Sequence, residues 1–234
     1  MVKDAGLKII ALQPFRDFEG MPADKRLKNF ARAERKFDIM EQLDTDSLLI
    51  CSNVSPHAIN GMQRSADDLA ELAQQAAKRG FKIGYEALAW GRYIKDYQQA
   101  WELVKMADQS NLGIILDSFH IFARGQDLST LAEIPGNKIT LVQIADAPKL
   151  DMDVLQWSRH FRCFPGQGDF PIVEFMKIVS QSGYQGYVSH EIFNDEFRSS
   201  PSQATALDGI RSLVWLEDEV SKVAPAIFQQ TNTP

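Results

Sequence analysis

Six stretches of the 234-residue chain are apolar almost throughout rather than alternating with polar positions: 7–13, 47–53, 81–88, 112–119, 139–146 and 186–193. Runs of this kind predict strands buried on both faces, as in a parallel sheet covered by helices. Between them apolar residues recur at helical spacing, most clearly over 24–43, 65–79, 96–110 and 171–181. The punctuation agrees. Ser65 and Asp96 are expected N-caps, Pro171 suits a first helical turn, and Gly80 and Gly183 stand where a helix ends in a left-handed residue. Strands alternating with helices imply right-handed βαβ units, in a doubly wound sheet or a (β/α) barrel. No Gly-x-Gly-x-x-Gly follows the first strand and no Gly-x-x-x-x-Gly-Lys occurs, which removes the usual nucleotide-binding versions of the doubly wound sheet and favours the barrel.

Charge narrows the partners. Lys and Arg total 25 against 31 Asp and Glu, a net charge of −6, so no global positive field exists to hold nucleic acid or an anionic membrane surface. The longest apolar runs, such as 112–116 and 47–51, fall far short of the ~18 residues of a membrane span. The N-terminus, with acidic Asp4 and a brief apolar stretch over 7–12, fits neither a secretory signal nor a transit peptide, and a cytoplasmic location is expected. Cys51 and Cys163 are too few for a disulfide scaffold and form no Cys-x-x-Cys pair, so both are expected reduced. No linker interrupts the chain. One barrel domain is expected over 1–222, with 223–234 as a fraying tail.

Four strands carry an oxygen-bearing side chain near the C-terminal end: Glu86, Asp117, Gln143 and Glu191. A carboxylate in an apolar strand costs several kcal/mol unless it is paired with a cation. Two readings satisfy this. Each acid could be paired separately with a neighbouring base, or all four could share one divalent ion. Two Glu, one Asp and one amide oxygen form a hard oxygen set suited to Mg²⁺, Mn²⁺ or Co²⁺, with positions left open for substrate oxygens.

The segments PGQGDF from Pro165 and GYQGYVSHE from Gly183 resemble the last βα unit of the xylose-isomerase-like TIM barrels, a superfamily of sugar isomerases, epimerases and apurinic endonucleases. More specifically, QPFRDFEG, ERKFD, CSNV, GYEALAWG, LDSFH, ADAP, WSRHFRCFPGQG and EIFND, collinear over residues 7–217, resemble bacterial 3-dehydroshikimate dehydratases. The resemblance implies Glu86, Asp117, Gln143 and Glu191 as metal ligands, with Gln143 where sugar epimerases carry His. It implies His120 as general acid or base, and its ordinary pKa of ~6.5 suits that work; the alternative is a hydrogen-bonded structural histidine.

The implied reaction is dehydration of 3-dehydroshikimate to protocatechuate through a metal-stabilised enolate, a step of quinate and shikimate degradation. Its substrate is a small cyclic anion, so local cations must reverse the acidic field: Arg16 and Arg162 are expected there, with Ser158 as a neutral donor. Arg159 and Lys149 read as solvated surface residues, His190 as a residue packing between strand and helix, and His57 and His160 as loop residues. Cys163 reads as a packing residue. A sugar epimerase or isomerase of the same superfamily would need the metal without the two arginines, and a barrel fragment with no catalysis is the alternative of another class. Only six strands are visible where the fold has eight, and MVKDAG reads as the end of a helix. The expectation is therefore a TIM-barrel-like sheet of about six βα units lacking the first two. Its open edge would be fragile as a monomer and able to pair with a second copy.

Overall fold

A computed structural model describes residues 2–223. The tail expected over 223–234 lies, beyond Val223, outside the described residues. The chain divides into two compact units, one ending at Ile115 and the other beginning at Leu116.

The first unit opens with a 3-10 turn, Lys3–Ala5, closed by Gly6 at φ +69°. Strand β1 is Leu12–Phe15, followed by helix α1 (Ala23–Leu43), β2 (Ser47–Cys51), α2 (Met62–Ala77), β3 (Lys82–Glu86), α3 (Tyr97–Ala107) and β4 (Leu112–Asp117), whose last two residues belong to the second unit. The pairs β1–β2, β2–β3 and β3–β4 are all parallel. β2 and β4 are buried at every position, as continuous apolar runs require. Each helix turns one stripe inward: Phe30, Ala33, Phe37 and Met40 on α1, Leu69, Leu72, Ala73 and Ala76 on α2, and Tyr97, Ala100, Leu103, Val104 and Ala107 on α3. Arg26 ties α1 to α2 through Asp68, at 2.5 Å.

Three expectations shift in this unit. The first strand forms five residues later than its apolar run begins, because Leu7 is 64% exposed and pairing starts only at Leu12 opposite Leu48. Ser65 is not an N-cap: Gly61 starts α2 four residues earlier, and the Ser65 amide already bonds to the Gly61 carbonyl. The run over 112–119 is cut at Asp117, which caps the helix that follows. Asp96 does cap α3, in a capping box with Gln99, and Gly80 takes the left-handed conformation expected of it, as Gly183 does in the second unit.

The second unit contains α4 (Ser118–Ala123), β5 (Ile139–Ile144), α5 (Val154–His160), α6 (Ile172–Gln181), β6 (Val188–His190), α7 (Asp195–Ser199) and α8 (Ser202–Val223). β5 and β6 are parallel, in register at Gln143 opposite Ser189. Pro171 precedes the first residue of α6 rather than lying within its first turn. Six strands are therefore present among the described residues, as the apolar runs predict, but α4, α5, α7 and the long α8 have no counterpart in the helical spacing of the sequence. None of the described helices is long and apolar enough to cross a membrane.

The capping box makes a local prediction about stability. Replacing Asp96 by Ala removes the acceptor for the first turn of α3 and is expected to cost ~0.5–2 kcal/mol, read as a lower urea midpoint at unchanged m-value.

Candidate functional site

Strand ends place the chemistry. In a parallel pair, register partners point to the same side, and residues two apart on one strand do so too. Glu86 closes β3 and its register partner is Ile115; two residues further along β4 comes Asp117. The second unit repeats the step: Gln143 on β5 is opposite Ser189, and two residues further comes Glu191, just past β6. Within the second unit the two-residue climb from β5 to β6 thus puts Gln143 and Glu191 on a common face.

Glu86 is 3% exposed, and the Cys51 thiol donates to its Oε2 at 3.3 Å. Asp117 is both a cap and a charge centre. Its Oδ1 accepts the Phe119 amide at 2.7 Å, starting α4, while its Oδ2 accepts Arg162 Nη1 at 2.8 Å and stands 3.6 Å from His120 Nε2. Burial alone would raise the Asp117 pKa, but the Arg162 charge, with the hydrogen bonds that Asp117 shares with Glu191 and Arg162, outweighs it and holds the carboxyl below its ordinary value. Glu191 goes the other way. Burial and the Asp117 charge push it up to about 7, against the opposing pull of Arg162 and a hydrogen bond from Gln143. Buried Asp117 and Gln143 and half-buried Glu191 therefore share one oxygen-rich locus.

Arg162 is what makes that locus tenable. The side chain is 1% exposed. Its Nη1 donates to Asp117 and, at 3.1 Å, to Glu191 Oε2, while Nε and Nη2 donate to Ser158 Oγ at 3.2 and 2.9 Å. The guanidinium lies 4.5 Å from the Phe119 ring and 5.3 Å from that of Phe193. Ser158 is thus held as an acceptor for Arg162, its hydroxyl hydrogen being the donor that remains. His120 sits in α4, 3% exposed, and burial pushes its pKa down to about 4, which leaves a neutral imidazole near pH 7. Arg16, in the first unit, is exposed just beyond β1.

The other sequence candidates also find places. His190 packs outward as expected, against Phe164 and, at 3.2 Å, Ser212 of α8. His160 lies in the last turn of α5 rather than in a loop, paired with Asp195 at 2.8 Å. Arg159 stacks over Phe193, Lys149 is exposed, and His57 is an exposed turn residue. Burial pushes the Cys163 thiol up to about 12, consistent with packing rather than nucleophilic work.

One residue was not singled out by its sequence context. Asp146, 1% exposed, accepts four backbone amides: Ala147 and Phe170 on Oδ1, Gly166 and Gly168 on Oδ2, all at 2.8–3.1 Å. It therefore shapes the PGQGDF loop from within. A Cβ on Gly168 would come within 2.4 Å of Asp146 Oδ1, which accounts for the glycine. An aspartate closing an apolar strand some twenty residues before a Gly-rich segment was the available signal.

The model of the xylose isomerase-like TIM barrel family matches residues 1–218. The chain belongs to that family. It is 56% identical over 216 residues to a 3-dehydroshikimate dehydratase of Pseudomonas aeruginosa, covering 92% of this chain and 34% of that protein. To a 3-dehydroshikimate dehydratase of Pseudomonas putida it is 52% identical over 234 residues, covering 100% of this chain and 36% of that one. A solved structure described as a xylose isomerase-like TIM barrel/4-hydroxyphenylpyruvate dioxygenase fusion protein superposes with a TM-score of 0.92 at 52% identity, over 100% of this chain and 37% of that chain. This chain thus spans about a third of the length of these relatives. The fold is shared with a more distant structure, an IOLI protein with a bound zinc atom, at TM-score 0.83, 24% identity and coverage of 92% and 77%.

Asp146 supplies the test of this architecture. Asp146→Ala leaves four amides without their acceptor and is expected to cost about 3 kcal/mol, with faster hydrogen exchange at Gly166, Gly168 and Phe170 than elsewhere in the unit.

Proposed function

We propose that this chain carries the site of a metal-dependent hydro-lyase that converts 3-dehydroshikimate to protocatechuate and water. The observation that carries the reading is the group of buried Asp117 and Gln143 with half-buried Glu191, bound up with Arg162, in a chain 56% identical to a 3-dehydroshikimate dehydratase. The donor chemistry fits a divalent ion. One ionised carboxylate, a second whose ionisation it disfavours, and one carboxamide form a hard, all-oxygen set, to which Glu86 adds a fourth oxygen ligand in our assignment. Mg²⁺, Mn²⁺ and Co²⁺ are the ions this set suits. Such an ion, when bound, polarises the substrate ketone and lowers the barrier to removing the adjacent ring proton.

The remaining work belongs to side chains of this chain. In our assignment Arg16, Arg162 and Ser158 orient the substrate carboxylate, the arginines by charge-assisted contacts and Ser158 through its hydroxyl hydrogen. His120 Nε2, neutral near pH 7, takes the ring proton, and the same proton leaves with the β-hydroxyl as water. Loss of water leaves a ring that tautomerises to the catechol, so atoms balance with no oxidant. The phenyl rings around Arg162 exclude bulk water and strengthen every charge interaction beside it. The substrate is a small molecule in this reading, and the cytoplasm is the compartment assigned.

Incubation with 3-dehydroshikimate and Mn²⁺ is expected to give the absorbance of protocatechuate. Chelation should abolish the signal and lower the melting temperature, with both restored by added metal. Absence of the aromatic product, with proton exchange into a ketose instead, would favour the epimerase reading. His120→Ala is expected to keep metal stoichiometry, measured by elemental analysis, while losing ~10² to 10⁴ in kcat. Full turnover by that variant would return His120 to a structural role.

A further inference from the structure

The segment that carries Arg16 is fastened at every peptide from 16 to 20, all within the first unit. The Arg16 carbonyl accepts Arg32 Nη2 at 3.1 Å, and Asn29 Nδ2 donates to the carbonyls of Asp17 and Phe18 at 2.6 and 3.0 Å. Asn53 Nδ2 donates to the Glu19 carbonyl, the Gly20 amide donates to Asp68 Oδ2 at 2.8 Å, and the Gly20 carbonyl accepts the Ile59 amide at 2.7 Å. Asp17 and Gly20 take positive φ of 54° and 69°, so the backbone is turned twice within four residues. A segment so held does not sample alternatives freely.

Its innermost fastening is a side chain that the reaction as described does not use. Glu19 is 2% exposed, and its Oε1 accepts both the Asn53 amide and the Tyr85 hydroxyl, each at 2.7 Å. It thereby joins the segment after β1 to the end of β2 and to β3. Its Oε2 is buried with no hydrogen-bond partner, a cost that an apolar side chain would avoid. Burial pushes the carboxyl up to about 7 in spite of the hydrogen bonds from Tyr85 and Asn53. A group kept where it is this uncomfortable points to a task that its acceptor oxygen performs.

We infer that Glu19 is a positioning residue for Arg16: its carboxyl oxygen, shared between the Asn53 amide and the Tyr85 hydroxyl, fixes the segment from which Arg16 reaches the anionic end of the substrate. The inference rests on the reading in which Arg16 meets the substrate carboxylate. It assigns Glu19 no contact with substrate. A loosened segment would weaken substrate capture while leaving proton transfer at His120 intact, so the effect belongs in KM rather than kcat.

The experiment is a double-mutant cycle in the full chain, assayed with 3-dehydroshikimate and Mn²⁺. Glu19→Ala is expected to raise KM about tenfold with kcat within about twofold of the parent. Glu19→Gln keeps an oxygen for both donors and is expected to recover most of that loss. Glu19→Ala added to Arg16→Ala should raise KM no further, because the loop then has nothing left to position. Hydrogen exchange at the amides of 16–20 and Asn53 should quicken in Glu19→Ala and stay unchanged at β5 and β6. Should Glu19→Ala fail to fold, Tyr85→Phe, which removes one of the two donors, is expected to give a smaller rise in KM with the same dependence on Arg16. If Arg16→Ala raises KM and Glu19→Ala either leaves it unchanged or multiplies with Arg16→Ala, the positioning role is wrong while the reading of Arg16 stands. If Arg16→Ala alone leaves KM unchanged, it is the reading of Arg16 that fails, and the inference falls with it.

Discussion

Two acids drawn to one cation, one of them fully withdrawn from water and the other half-buried, set the central constraint of this protein. At an effective dielectric of ~20, two charged carboxylates 4 Å apart repel by about 4 kcal/mol, and burial adds the loss of hydration. Asp117 and Glu191 are both drawn to the same guanidinium nitrogen, Arg162 Nη1, at 2.8 and 3.1 Å. That nitrogen makes their proximity tolerable. Ser158 fixes the other edge of the guanidinium, and the Phe119 and Phe193 rings lie against its plane. The backbone of Arg162 is held as well, by the Phe193 carbonyl and the Asn194 side chain. Charge neutralisation, aromatic packing and loop geometry thus converge on one residue.

The opposite shifts of the two acids follow from that arrangement. Asp117 keeps its charge because the Arg162 guanidinium faces it, whereas Glu191 meets a neighbour already ionised. A locus with one firm anion and one reluctant anion favours an added cation more than two independent ion pairs would. This is the physical content behind reading the strand-end oxygens as a set.

Much of this was legible from residue order. The apolar runs mark all six strands, and β2 and β4 are buried at every position as such runs require, whereas β1 exposes Gln13 and Pro14 and β6 is half-buried, so burial on both faces holds for the inner strands and not for these two. The strand-end oxygens could be read because a buried acid demands a partner. What could not be read depended on contacts distant along the chain. Ser65 looks like a cap by type, yet Gly61 begins the helix and Ser65 Oγ lies against the turn at Gly20. Arg162 reads as a cation for substrate, and nothing in its neighbourhood announced that it would also meet Asp117, forty-five positions earlier. Asp146 and Glu19 escaped for the same reason: their partners are backbone amides and a tyrosine hydroxyl, which carry no sequence signature.

In (β/α) barrels the loops after the strands are where lineages ordinarily diversify, because length can change there without disturbing the core. The PGQGDF loop has lost that freedom. Its amides at Gly166, Gly168 and Phe170 all turn toward the two oxygens of Asp146, and Gly166 lies so close to Trp215 of α8 that an added Cβ would meet the indole at 2.8 Å. An inserted or deleted residue would throw three dipoles off their common acceptor at once. Descendants of this protein that take different substrates must therefore change by exchanging side chains on a loop of fixed length, a narrower evolutionary route than the fold as a whole allows.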